Sequence, residues 1–169
     1  GNRRITADAL GPRTVQRILV TMGAGVAPPV RGLRPVAAVA PGVAAATGLS
    51  LQQLTAALVG QLRPAAVVCV DSLCSAEGQR LGRTVQFSDT GLYPAQADNA
   101  RHLTRDTLGV PVVAAGIPTL MQAQEGADLV VTPRALDSVI AHGAALLAGA
   151  VNRALQPRLT VQQLFWLTG

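Results

Sequence analysis

The chain has 169 residues, 49% of them hydrophobic, which is enough for one domain with its own core and too little for two. Aromatic residues make up 2%, so the core must be packed from Ala, Val and Leu. All 14 basic residues are Arg, against 9 acidic ones; they are scattered singly or in pairs with no interleaved aromatics, which argues against a nucleic-acid interface. No apolar stretch reaches the 18 or more uncharged residues of a membrane span, and no secretion signal opens the chain. Cys69 and Cys74 have neither the spacing of a metal pair nor that of a disulfide framework, which points to a reducing, cytoplasm-like compartment.

In chain order, Ala9 to Val20 has helical spacing after the capping types Thr6 and Asp8. Pro35 to Val39 reads as a short strand, and Ser50 caps an amphipathic helix that stops before Pro64. Ala66 to Val70 is a continuous apolar run, as in a buried strand, with Cys69 facing a core. Thr84 to Ser88 and Val110 to Ala115 read as further strands, with a short helix over Thr104 to Leu108 between them. Leu129 to Val131 is a brief strand, Pro133 opens an Ala-rich helix to about Leu155, and Thr160 to Leu167 predicts a last short helix. This alternation predicts an α/β fold, a mostly parallel central sheet with helices on both faces, as a single domain over residues 1–169. Such a domain normally opens with a strand, and none precedes Gly1, so the sequence reads as a domain without its leading strand.

Functional residues of parallel sheets collect beyond the carboxyl ends of the strands, and Asp71 falls there, after Val70. A helix N-cap is the plain alternative for Asp71, and an ordinary first-turn acid the alternative for Asp8. Asp89-Thr90-Gly91 has the tripeptide of pepsin-like proteases, but those are all-β and Leu92 does not suit them; Asp89 reads as a turn former. His102 and His142 lie near no nucleophile elbow, and Gly23, Gly25 and Gly32 follow a helix, so no phosphate loop is present.

The opening Gly1-Asn2-Arg3-Arg4-Ile5-Thr6-Ala7-Asp8-Ala9-Leu10-Gly11-Pro12 resembles the germination protease element G-N-x-x-x-T-P-D-A-L-G-P. Gly32-Leu33-Arg34-Pro35-Val36, Ala40-Pro41-Gly42-Val43, Val70-Asp71-Ser72-Leu73 and Gln86-Phe87-Ser88-Asp89-Thr90-Gly91 follow further elements of that family in order. So do Gly116-Ile117-Pro118-Thr119, Val131-Thr132-Pro133 and Asn152-Arg153-Ala154-Leu155. The resemblance implies a fold similar to hydrogenase maturation proteases and an endopeptidase made as a zymogen, a tetramer in the spore core that degrades small acid-soluble spore proteins on germination. It implies catalytic aspartates at Asp8 and Asp71, with Asp89 in support, and no cofactor. Two carboxylates sharing a cleft do not both ionise easily, so one can act as general acid and the other as base. A divalent metal held by Asp8 and Asp71, with His102 as a conceivable third ligand, is the variant suggested by the maturation proteases. A non-catalytic binding module of the same fold is the reading from another class.

Departures accompany the match. Ala7 stands where the family has Pro, which should loosen the loop carrying Asp8; Ser72-Leu73-Cys74-Ser75-Ala76 replaces A-L-A-S-R; and Gln122 replaces an acid. The family's propeptide, and a long insertion before Asp128, have no counterpart in the sequence.

Overall fold

A computed structural model describes residues 1–23, 32–93, 102–122 and 130–169. Four strands form one mixed sheet: β1 (Val67–Ser75), β2 (Gln86–Ser88), β3 (Val112–Gln122) and β4 (Val130–Val131). The order is β1-β3-β2, with β4 pairing β3 farther along. β1 and β3 are parallel and pair from Val67↔Val112 to Ser75↔Met121; the short β2 and β4 run antiparallel to β3. The parallel pair therefore supplies most of the ladder, and the α/β class predicted from the alternation is what forms.

The helices are α1 (Leu10–Val15), α2 (Ala44–Thr47), α3 (Leu51–Leu62), α4 (Arg105–Leu108), α5 (Leu136–Leu155) and α6 (Val161–Thr168), with a 3-10 turn over Thr6–Asp8 ahead of α1. Side chains alternate across β3, so the sheet needs cover on both faces. Ala115 and Ile117 pack on Ala9 and Leu10 of the α1 region and on Ile140, Ala144 and Leu147 of α5. On the opposite face Val112 and Ala114 meet Cys69, Leu92, Leu103 and Leu108, with half-buried Leu51 and Ala56 of α3 against them. Burying Leu10, Ile140 and Leu147 is worth about 1.5–3 kcal/mol each.

The close packing depends on small residues. A side chain at Gly143 would collide with Ile117, so glycine lets α5 lie directly on β3. By length and composition α5 would pass as a membrane span, with a mean hydropathy of 1.2, yet Ile140, Ala144, Leu147 and Ala148 are buried inside the domain.

The sequence-based expectations differ from this structure at several places. The strand expected over Val110 to Ala115 runs from Val112 on to Gln122. The expected helix over Ala9 to Val20 ends at Val15, after which Arg17 N–H and Ile18 N–H turn back to Thr14 and Val15. Asn152 then captures the chain, donating to the Arg17 carbonyl (2.8 Å) and accepting from Leu19 N–H (2.9 Å). Pro35 to Val39 forms no strand; Val36 alone bonds to Thr21 and Met22. β1 continues past Val70 to Ser75, so Asp71 is the fifth residue of a nine-residue strand and not a helix cap. The expected Leu129 lies outside the described residues, as do Gly25 and Asp128.

Candidate active site

Asp8 is delivered by a tight turn at the N-terminus. Asn2 accepts Arg4 N–H through its side chain (3.0 Å) and Ile5 N–H through its carbonyl (3.2 Å), and Asp8 N–H returns to Ile5 (2.9 Å). These short-range bonds make the 3-10 turn that ends at Asp8. Gly11 then brings the first turn of α1 against β1: a Cβ there would lie 2.5 Å from the Val70 carbonyl oxygen. The turn with Asp8 is thereby held beside the strand residue that precedes Asp71.

A bulge fixes the other side of this turn. Leu73 pairs with Pro118 but Cys74 pairs with Leu120, so Thr119 is an extra residue on β3. The bulge falls where Pro118 has no N–H to give the ladder. Thr119, fully buried, donates its hydroxyl to the Ala7 carbonyl (2.7 Å). The loop that Ala7 was expected to loosen is thus pinned from β3, one residue before Asp8.

Asp71 sits across from Gly116 of β3. A Cβ at Gly116 would lie 2.5 Å from the Asp71 carbonyl oxygen and 2.6 Å from Leu73 Cγ, so glycine leaves room for the Leu73 side chain. The Asp71 side chain is 22% exposed. Its Oδ1 is buried without a hydrogen bond, as is Ser72 Oγ. The Gly1 nitrogen lies 3.6 Å from Asp71 Oδ1, while the Asn2 N–H donates to Asp8 Oδ2 at 2.6 Å. Gly1-Asn2 therefore touches both carboxylates.

Burial raises the Asp71 pKa above the ordinary 3.8, and the charge of Asp8 raises it further. The amino group of Gly1 and the Ser72 backbone amide act the other way without cancelling the rise. Asp71 also acts on Cys69: burial first, then the neighbouring carboxylate, push that thiol up to about 11. Cys69 is consequently an inert core thiol rather than a nucleophile.

The remaining candidates stand apart. Asp89 follows β2 and is exposed, in a turn where Ser88 Oγ and Thr90 Oγ1 share a hydrogen bond of 2.8 Å. Because β2 is antiparallel and its Ser88 pairs with Ala114, Asp89 leaves the sheet two strands across and about three residues along from Asp71, about 14 Å away by strand spacing and rise together. His102 stacks edge-on to Tyr93, with ring centroids 4.7 Å apart. His142 Nδ1 bonds Ser138 Oγ along α5 (3.1 Å). Among the described residues no three His, Cys, Asp or Glu side chains gather as a metal site. Two carboxylates, one already bonded to Asn2 N–H, do not make a donor set that fits a resident divalent ion. Thr119 and Asn2 are the parts of the site that sequence reading missed as roles, though both lie inside the matched motifs.

An α/β domain whose parallel strand pair presents a buried carboxyl beside a second one has the makings of an acid–base hydrolase. Comparison with known proteins gives this class a family. The germination protease family model matches residues 1–125. The germination protease of Halalkalibacterium halodurans is 39% identical over 147 residues, 84% of this chain and 38% of its own length. That of Bacillus subtilis is 34% identical over 163 residues, 93% of this chain and 43% of its own. That of Clostridium perfringens strain SM101 is 31% identical over 215 aligned residues, 97% of this chain and 66% of its own. The chain belongs to the germination protease family, and spans from about two fifths to two thirds of the length of these relatives.

Proposed function

We propose that this chain is an endopeptidase in which Asp71 is the general acid and Asp8 the general base. The observation that carries this is the buried Asp71 carboxyl, with one oxygen left without a hydrogen bond and its pKa raised by burial and by Asp8. A carboxyl so placed holds its proton to higher pH than an ordinary aspartate and can give it away. Asp8 accepts the Asn2 amide through Oδ2 and has Oδ1 for a water. In the proposed reaction Asp8 takes a proton from that water as its oxygen attacks the peptide carbonyl. The C–O bond forms as the carbonyl π pair moves to oxygen; that pair then returns to re-form the carbonyl as the C–N bond breaks and Asp71 donates its proton to the leaving amine. Each such proton transfer contributes roughly a hundred- to ten-thousand-fold in rate.

Membership of the family supports small acid-soluble spore proteins as substrates, with zymogen processing, a tetrameric assembly and the spore core as the setting. Asp89 would act in support from the far edge of the sheet, beside the Ser88–Thr90 turn. The test is incubation of the folded chain with a small acid-soluble spore protein, followed by mass spectrometry, beside Asp71→Asn and Asp8→Asn. Discrete cuts lost in both variants are expected. Cleavage that persists in Asp71→Asn would overturn the assignment, and a folded chain that cuts nothing would overturn the activity.

A further inference from the structure

The arginines are scattered in the sequence, but four of them, Arg17, Arg34, Arg153 and Arg158, come together around the C-terminal end of α5. Gln156, at the C-terminus of α5, is 2% exposed and grips the backbone of Arg34: its Oε1 accepts Arg34 N–H (3.0 Å) and its Nε2 donates to the Arg34 carbonyl (2.8 Å). This clamp forms the floor of a groove of about 390 Å3 lined by Arg34, Pro35, Gln156 and Arg158. The Arg34 guanidinium reaches the Ala154 carbonyl (3.4 Å) and that of Arg153 reaches the Pro157 carbonyl (2.8 Å), so both heads are held in place. Arg17 is carried to the same end by the bond from Asn152 to its carbonyl.

What distinguishes this groove is its charge balance. The sequence has no acidic residue from Ala9 to Val70, nor from Ser138 to Gly169, and these two stretches build the whole groove. Among the described residues the one ion pair formed by an arginine is Arg80 with Glu77, elsewhere in the fold. Arg34, Arg153 and Arg158 are exposed, and none of them pairs with a carboxylate among the described residues. Pinned guanidiniums bind carboxylates with less ordering cost than free ones, in planar two-bond geometry.

We infer that this groove is a docking site for an acidic stretch of the polypeptide substrate, outside the bond that is cut; this rests on the endopeptidase reading. Along α5, Gly143 lies at the level of Leu10, and Gln156 is thirteen residues farther, about 20 Å of helix. About six extended residues span that distance, which sets the separation between acidic stretch and cleaved bond. Nucleic acid is the competing polyanion, but the groove offers no aromatic ring on which a base could stack.

The experiment measures fluorescence anisotropy of a labelled ten-residue Glu-rich peptide on the full chain carrying Asp71→Asn, so that binding is read without turnover. Replacing Arg34 and Arg158 together by Gln should weaken binding roughly five- to tenfold at low salt, and added salt should weaken the parent in the same way. Replacing Arg63 and Arg105 removes the same charge elsewhere and should change binding less than twofold. Equal losses in the two double variants would reduce the effect to bulk charge and overturn the inference. Tighter binding of oligothymidylate than of the peptide would overturn the choice of partner. A lowered melting temperature with unchanged affinity would show that the arginines serve α5 alone, again against docking. Cleavage separates this from the endopeptidase reading. In the active chain the Arg34→Gln, Arg158→Gln pair should raise KM for a substrate with the acidic stretch and leave a short neutral peptide unaffected. Absence of all cleavage with intact peptide binding would sink the activity and not the groove.

Discussion

Gln156, at the C-terminal end of α5, and Asp71, in the middle of β1, are both largely withdrawn from water, and they are treated in opposite ways. Every polar atom of the Gln156 amide is used: it closes on both backbone groups of Arg34, and Thr21 Oγ1 stands 3.5 Å from its nitrogen. Asp71 Oδ1 is buried with no hydrogen bond and only the Gly1 nitrogen 3.6 Å away, and the Ser72 hydroxyl beside it has no hydrogen bond among the described residues. Folding stability favours the first arrangement and disfavours the second, since an unpaired buried polar group costs about 1–3 kcal/mol. Buried polar groups left short of partners are therefore better explained by chemistry than by architecture. The contrast teaches where to cut: substitutions at Gln156 should cost stability, and those at Asp71 should cost activity.

The largest effect belongs to Asp71→Asn, which should lower the cleavage rate by roughly a hundred- to ten-thousand-fold while the fold is kept. Its pH dependence has a definite sign. The folded-state pKa of Asp71 lies above its ordinary 3.8, so the folded chain holds this proton more tightly than the unfolded chain. Stability from this group is fully present below pH 3.8 and is lost as pH rises through the raised folded value. Asp71→Asn should thus match the parent in urea unfolding at acid pH and exceed it near neutrality; a variant weaker than the parent at pH 7 would contradict the burial argument. Activity of the parent should fall on the alkaline side, as the general acid loses its proton.

Next comes Gln156→Ala, expected to cost about 2–5 kcal/mol, because Arg34 N–H and C=O lose their partner together. For a domain of this size that is a drop of several degrees in melting temperature, readable by calorimetry. Turnover of a short peptide should not change. If activity falls as far as stability, the two sites are coupled and the contrast between them fails.

How much of this was legible in the sequence depends on the range of the interactions. The Ser50 cap was readable because its capping box closes within four residues, with Gln53 N–H on Ser50 Oγ at 3.1 Å. Thr104 and Thr160 open α4 and α6 by the same local device. The early end of α1 was not readable, because Asn152, more than 130 residues away, takes the chain at Arg17 and Leu19. Nor was the length of β1: its polar second half, Asp71 to Ser75, has no strand pattern of its own and is extended by pairing with β3. For the site, Asp71 could be singled out as a charge after an apolar run, while Asp8 had no local signal beyond its motif. That Thr119 steers Asp8 required the bulge, which exists only once two strands distant in sequence are in register.

A smaller effect tests that steering. Thr119→Val keeps the volume of the side chain and removes its hydroxyl, leaving the buried Ala7 carbonyl without its donor. A loss of about 1–3 kcal/mol is expected in denaturant unfolding. Because the freed carbonyl adjoins Asp8, kcat should also fall, with KM for a short peptide little changed. Thr119→Ser, which retains the hydroxyl, should restore most of kcat. Failure of serine to rescue would mean that the methyl group, and not the bond to Ala7, holds the turn.

The smallest effect should come from Ser72→Ala, and its sign is informative. Ser72 stands where the family's pattern has alanine, and its buried hydroxyl has no hydrogen-bond partner among the described residues. Removing it relieves a desolvated donor, so stability should rise by up to about 1 kcal/mol with the Asp71 chemistry untouched. A loss of stability would mean that Ser72 Oγ is bonded in solution, to a water or to a carboxylate. A loss of activity at unchanged stability would make the hydroxyl part of the proton path. Either result would move the boundary of the reactive corner by one residue, from a pair of carboxyls to a pair with a hydroxyl beside them.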